Sequence, residues 1–183
     1  MRIIAGKYKG RPLLAPESER VKPTLDRVKE AIFDKLQFDI PSSKVLDLFA
    51  GSGALGLEAC SRNALSVTLV DVDTSLVRKN VERLNADVRL IEKDAMNALE
   101  GFKASGEVFD IILLDPPFKS DYGEKTIEHI DKNDLLSDKG VIVWERAFSL
   151  NVPLNLTNLC IDKIKKYGTI QVIYLNHISS VKN

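Results

Sequence analysis

From Val45 onward, short apolar runs rich in β-branched residues alternate with segments of helical period: Val45 to Leu48, Val67 to Val70, Val88 to Ile91, Phe109 to Leu114 and Val141 to Trp144. No other feature constrains the fold as much, because consecutive strands separated by helices pair in parallel. Right-handed crossovers then put helices on both faces of the sheet. The final stretch differs: Cys160 to Lys166 and Thr169 to Leu175 read as two strands joined at Tyr167-Gly168, a hairpin that gives the sheet an antiparallel edge. The expected architecture is an α/β sandwich on a mostly parallel seven-stranded sheet, with the ligand crevice at the carboxyl ends of the strands.

The chain before Val45 is different in style. Met1 to Pro16 is basic and turn-rich, with Gly6, Gly10 and Pro12, and its first fifteen residues carry Arg2, Lys7, Lys9 and Arg11 but no acid. It reads as a short basic hairpin. Thr24 to Phe38 places Val28, Ala31, Ile32 and Leu36 on one helical stripe, with Thr24 as a candidate cap. With 183 residues, 44% of them hydrophobic, one domain is expected: residues 1–40 as amino-terminal hairpin and helix, 41–183 as the catalytic core. The 26 basic and 26 acidic side chains cancel, so a polyanion can be met only by a local patch. Two cysteines, Cys60 and Cys160, form neither a disulfide framework nor a metal-ligand pattern. Apolar runs fall far short of the roughly 20 residues that span a bilayer, and the basic start lacks the apolar core of a signal peptide. A cytoplasmic protein without metal or membrane is expected.

Asp47-Leu48-Phe49-Ala50-Gly51-Ser52-Gly53-Ala54-Leu55-Gly56 follows a strand and opens a helix, and Asp71 ends the next strand twenty residues after Gly51. The glycines match a dinucleotide fingerprint, with the acid placed for ribose hydroxyls. Asp47 decides between cofactors. A carboxylate directly before the loop repels a pyrophosphate and attracts the ammonium of a methionine moiety, which favours S-adenosylmethionine. Asp94, after the third strand, is placed with Ala95 to meet the adenine edge, or to cap the next helix, or both. The expected cofactor contacts are Asp47, Ala50, Gly51, Ser52 and Gly53, with Asp71, Val72, Asp94 and Ala95.

Asp115-Pro116-Pro117-Phe118 ends the strongest apolar strand on the crevice side. Consecutive prolines lack amide donors and leave carbonyls free to point into the site. An exocyclic amine on an aromatic base is a poor nucleophile because its lone pair is delocalised. Hydrogen bonds from its two hydrogens to the Asp115 carboxylate and the Pro116 carbonyl favour a more pyramidal nitrogen, while Phe118 stacks on the base.

With these motifs in place, the chain resembles the bacterial 16S ribosomal RNA guanine-N2 methyltransferases of the RsmD-like type. The resemblance covers nearly the whole chain: Arg2-Ile3-Ile4-Ala5-Gly6 with Lys9-Gly10-Arg11, the segment Pro23 to Phe33, the loop Asp47 to Gly56, and Asp115 to Phe118. It implies a monomeric, Rossmann-like class I S-adenosylmethionine-dependent methyltransferase that modifies one guanine during small-subunit assembly. It also implies that the basic amino terminus touches 16S ribosomal RNA or the assembly particle, with Arg2, Lys7, Lys9, Arg11, Lys22 and Arg27 as the RNA contacts. Two departures stand out. Asn63 replaces a glycine after the first helix of the core, a position Asn tolerates in the left-handed region, and Lys22 replaces an arginine, losing bidentate phosphate binding.

His129, His177 and the two cysteines have no partners at catalytic spacing, and Trp144 reads as core. Tyr122 is open between the RNA entrance and a plain loop aromatic. Two other functions stay open: an amino-methyltransferase acting on adenine N6 or a glutamine amide, and a ribosome-assembly factor without catalysis. Retention of Asp47 and Asp115 argues against the second.

Overall fold

The computed structural model describes residues 1–16, 23–117, 121–148 and 154–180. After α1 (Pro23–Lys35) the chain alternates β1 (Lys44–Leu48), α2 (Gly56–Ser61), β2 (Ser66–Asp71), α3 (Ser75–Leu84), β3 (Arg89–Glu92), α4 (Ala95–Ser105), β4 (Phe109–Leu114), α5 (Tyr122–Lys132) and β5 (Leu136–Ala147). It closes with the antiparallel pair β6 (Leu159–Tyr167) and β7 (Ile170–His177). The sheet order is β3-β2-β1-β4-β5-β7-β6, parallel through β5 and antiparallel where β7 enters between β5 and β6. All seven expected strands form. β5 starts five residues before the apolar run at Val141: its opening Leu136-Ser137-Asp138-Lys139-Gly140 buries only Leu136 and Gly140, with Asp138 and Lys139 exposed, and carries no continuous hydrophobic pattern.

The sheet is buried on both faces through its inner strands, while the edge strand β6 is mostly exposed. Val45, Leu69, Leu113, Val143 and Tyr174 face the layer holding α1 and α2, whereas Leu46, Val70, Ile112, Trp144 and Ile173 face α4 and α5. Alternation along a strand thus feeds two cores, and each buried aliphatic side chain contributes about 1.5–3 kcal/mol. The helix α1 begins at Pro23, so Thr24 lies inside the first turn and is not its cap. Proline suits that first position, where its missing N–H would have had no partner. Asn63 adopts φ 67°, the left-handed conformation its position requires.

The amino-terminal hairpin forms, and it is pinned to the core. Ile3 N donates to Arg11 O at 3.0 Å and Gly10 N to Ile3 O at 2.9 Å. The fully buried Glu58 of α2 accepts from Ile4 N (2.8 Å) and Ala5 N (3.0 Å) and pairs with Lys29 (3.2 Å) and Arg62 (2.9 Å). Gly6 sits at φ +82°, and a Cβ there would lie 1.9 Å from the Ser61 carbonyl oxygen. That approach lets Lys7 N donate to Ser61 O at 2.8 Å. Ser61 is the last residue of α2, and crossover helices run antiparallel to the strands. The hairpin tip with Lys7 and Lys9 therefore lies at the end of the molecule remote from the carboxyl ends of the strands. Arg11 likewise bonds the carbonyl of Arg83 near the end of α3.

Candidate active site

The strand order reverses between β1 and β4, and in an open α/β sheet the crevice opens there. It holds a cavity of about 540 Å³, within the range of small-molecule sites. The loop after β1 contributes Ala50, Gly51 and Ser52; the end of β2 contributes Asp71 and Val72; the start of α4 contributes Asp94 and Ala95. From the end of β4 come Asp115, Pro116 and Pro117. The sequence motifs, spread over some seventy residues, thus meet in one cavity because each ends a parallel strand.

Backbone geometry explains the loop. Gly56 must lack a side chain, since a Cβ would stand 2.1 Å from Leu69 Cδ2 and 2.9 Å from Asp47 Oδ2. The bare backbone brings Gly56 N to Asp47 Oδ2 at 2.7 Å, so Asp47 anchors the start of α2 as well as lining the cavity. Gly51 N donates to Asp71 Oδ2 at 2.7 Å, which ties the loop to the acid of the next strand. Gly53 does not line the cavity; it packs against Val77 and Leu57 behind the loop. Asp94 caps α4 through Met96 N at 2.9 Å, as one of its two readings expects, and also lines the cavity.

The electrostatics of the floor are acidic. Asp47 is buried, and desolvation pushes its carboxyl up to about 7; the Gly56 hydrogen bond opposes this, while Asp115 and Asp71 add to it. Glu145, near the end of β5, is buried too and is raised well above the usual carboxylate range, first by desolvation and then by Asp115 and Asp47. The charges acting on both acids favour their neutral forms, so a cationic group entering the cavity would relieve the floor. Val72, 69% exposed beside Asp71, offers an apolar face to the cavity. The residues present therefore fit a ligand with a cationic end, a diol near Asp71 and a flat apolar ring near Val72 and Asp94.

Besides Tyr122, nine lining residues are not among the site residues expected from the sequence: Ala54, Leu55, Val70 and Lys93 beside the expected motifs, and Met1, Asp26, Lys29, Phe49 and Glu145. Glu145 carried a signal, an acid ending an apolar strand as Asp47 and Asp71 do. Phe49 carried none: it holds φ 66°, a conformation that costs a bulky residue about 1–3 kcal/mol, and its ring meets Tyr122 edge-on at 6.1 Å. Tyr122 lines the cavity and is 40% exposed. From α1 the cavity takes Asp26 and Lys29; Arg27 is exposed and does not line it. Arg2, Lys7, Lys9 and Arg11 are exposed and also lie outside it. Phe118 and Lys22 fall outside the described residues. Cys60 is buried, His129 faces Glu100 at 3.6 Å and His177 contacts the Leu136 carbonyl, all away from the crevice. Among the described residues no three His, Cys, Asp or Glu side chains are grouped to hold a metal ion, and no helix is long and apolar enough to cross a membrane.

Comparison with known proteins agrees with this geometry. Residues 1–176 match the family model described as "Conserved hypothetical protein 95". The ribosomal RNA small subunit methyltransferase D of Escherichia coli K12 is 36% identical over 174 residues, covering 93% of this chain and 86% of that protein. A candidate methyltransferase of Escherichia coli superposes with a TM-score of 0.80 at 34% identity, over 97% of both chains. A Thermus thermophilus 16S rRNA N2 methyltransferase in complex with AdoMet and guanosine shares the fold alone, with a TM-score of 0.70 at 21% identity over 88% of this chain and 44% of that one. Strand order, crevice and sequence agreement over almost the whole length place the chain in the Conserved hypothetical protein 95 family, together with the ribosomal RNA small subunit methyltransferases D.

Proposed function

We propose that this protein transfers a methyl group from S-adenosylmethionine to the exocyclic N2 amine of a guanine in 16S ribosomal RNA. The observation that carries the reading is the meeting of Asp115 and Pro116 with the buried Asp47 in one cavity at the strand-order reversal. The cofactor, when bound, supplies an electrophilic methyl group on a sulfonium centre. Asp47 holds its ammonium end, Asp71 its ribose hydroxyls, and Val72, Asp94 and Ala95 its adenine; Ala50, Gly51 and Ser52 line the space between. Asp115 and the Pro116 carbonyl accept from the two amine hydrogens and so localise the nitrogen lone pair. Phe118 completes the base platform, with Tyr122 at the entrance. No covalent intermediate or metal is needed for direct displacement. Guanine as the target rests on the amino-terminal segments resembling the guanine-N2 enzymes. Arg2, Lys7, Lys9, Arg11, Lys22 and Arg27 are proposed as RNA contacts, with Lys7, Lys9 and Arg11 engaging RNA well away from the reacting base.

Mass spectrometry of 16S ribosomal RNA nucleosides, from cells with and without the gene, tests the reading. Loss of N2-methylguanosine is expected. Loss of N6-methyladenosine instead would move the target to adenine, and an unchanged profile would favour an assembly factor without catalysis. On the purified protein, Asp115→Ala should abolish turnover while leaving cofactor affinity within a few fold. Near-normal single-turnover rates would remove Asp115 from the chemistry, since a contact made in the transition state must appear in the rate.

A further inference from the structure

A second basic surface lies at the crevice end of the sheet, on strand β6. Both β5 and β6 run antiparallel to β7, so they run parallel to each other and both carboxyl ends sit on the crevice side. Lys163, Lys165 and Lys166 are exposed on this edge strand, against one acid, Asp162, which faces Lys35 at 3.7 Å. Register places them relative to the cavity. Glu145 pairs with Val172 and Val172 with Lys165, so a cavity residue and Lys165 share one row and one face of the sheet. Two strand spacings put their backbones about 10 Å apart.

On the other face, Lys166 and Arg146 both pair with Gln171, and Phe148 follows just beyond β5. Phe148 is 47% exposed. Its N–H donates to Thr169 O at 2.9 Å, tying it to the β6–β7 turn, and Lys166 Nζ stands 3.4 Å from its ring centroid. Lysines on an edge strand also deter strand pairing. Edge protection explains Lys163, but it gives no reason for a half-exposed aromatic ring held by a lysine at the crevice end.

We infer that the β6 edge, with Lys163, Lys165, Lys166 and Phe148, is a docking surface for the RNA strand flanking the target base. Resting on the proposed ribosomal RNA substrate, it assigns phosphates to the lysines and an unstacked base to Phe148. It lies at the crevice end of the molecule, whereas the basic tip of the amino-terminal hairpin lies at the opposite end, beside Ser61 and Arg83.

The test uses the full chain and unmethylated 16S ribosomal RNA, naked and as the small-subunit particle. Replacing all three lysines by glutamine should weaken binding to naked RNA at least tenfold at physiological salt and lower the log–log salt slope by about 2, at roughly 0.7–0.9 per lost contact. The triple Lys→Arg variant should keep the slope. Phe148→Leu should weaken binding about tenfold without changing it. Cofactor affinity, read by calorimetry, should stay within twofold in every variant. If the triple glutamine variant does not fold, Lys166→Gln alone decides, with an expected slope change of about 0.8.

An unchanged slope overturns the inference. So does self-association with wild-type RNA binding, which would assign the lysines to edge protection. Binding lost only on the particle would assign the surface to a ribosomal protein, and also overturns it. Nucleoside analysis of the methylated RNA separates the two claims: N2-methylguanosine with an unchanged slope leaves the function standing and removes the surface. A lowered slope with another product does the reverse.

Discussion

Asp47 illustrates how one side chain serves fold and chemistry. Its carboxylate anchors the first turn of α2 and lines the cavity, and burial holds its carboxyl at about 7 against an ordinary 3.8. Because the folded value is the higher one, the native protein retains a proton that the unfolded chain has released between these values. Its contribution to stability therefore falls as pH rises from about 4 to 7 and is level above 7. Ligand binding has the opposite sign: an ammonium group favours the ionised form, so cofactor affinity should rise with pH up to about 7 and then level off. Calorimetry across that window, with proton release followed in buffers of different ionisation enthalpy, checks it; a flat profile would mean that Asp47 only anchors the helix. Asp47→Asn keeps an acceptor for Gly56 N but loses the charge. It should weaken cofactor binding by about 1–3 kcal/mol at pH 8 and by less at pH 6.

The element that most depends on its neighbours is α2. Six residues are too few for an isolated helix, and its residues are all buried. Glu58 holds it to the hairpin and to α1, receiving two backbone amides and two cations. Burial lowers the Lys29 ammonium even though Glu58 opposes this, so Lys29 depends on its partner. Glu58→Gln leaves that cation without its counter-charge and should cost about 3–5 kcal/mol in urea unfolding. Amide exchange at Ile4 and Ala5 should accelerate with it. A loss below about 1 kcal/mol would show that the hairpin is held by apolar packing of Ile3 and Leu13 alone. The strands were legible because burial on both faces demands apolar runs. The early start of β5 was not, since between the buried Leu136 and Gly140 it carries the polar Ser137, Asp138 and Lys139.

At the scale of the whole molecule, basic charge is divided between two ends. The hairpin tip lies at the carboxyl ends of α2 and α3, about 15 Å from the crevice by the ten-residue length of α3. Neutralising Lys7, Lys9 and Arg11 together should lower the salt slope of RNA binding by roughly 0.7–0.9 per lost phosphate contact, without altering cofactor affinity. An unaltered slope would make the tip a solvated edge. If both basic surfaces are used, the losses from the hairpin and β6 variants should add, because distant sites without shared partners are independent.

The sequence by itself determined the alternation of strands and helices, the glycine loop, the acids at strand ends and the Asp-Pro-Pro-Phe tetrad. These are local signals, set by period, by backbone sterics and by chemistry at fixed spacing. Only the tertiary structure decided that Gly53 packs behind the loop, that Glu145 and Phe49 line the cavity, that α1 offers it Asp26 and Lys29, and that Lys7 and Lys9 lie away from it. The physical reason is that direction is not local: a residue's place relative to a crevice depends on which end of an element it occupies and on which neighbour packs across it. The same holds for β6, whose lysines read as an ordinary charged strand until the insertion of β7 turns their carboxyl end toward the cavity.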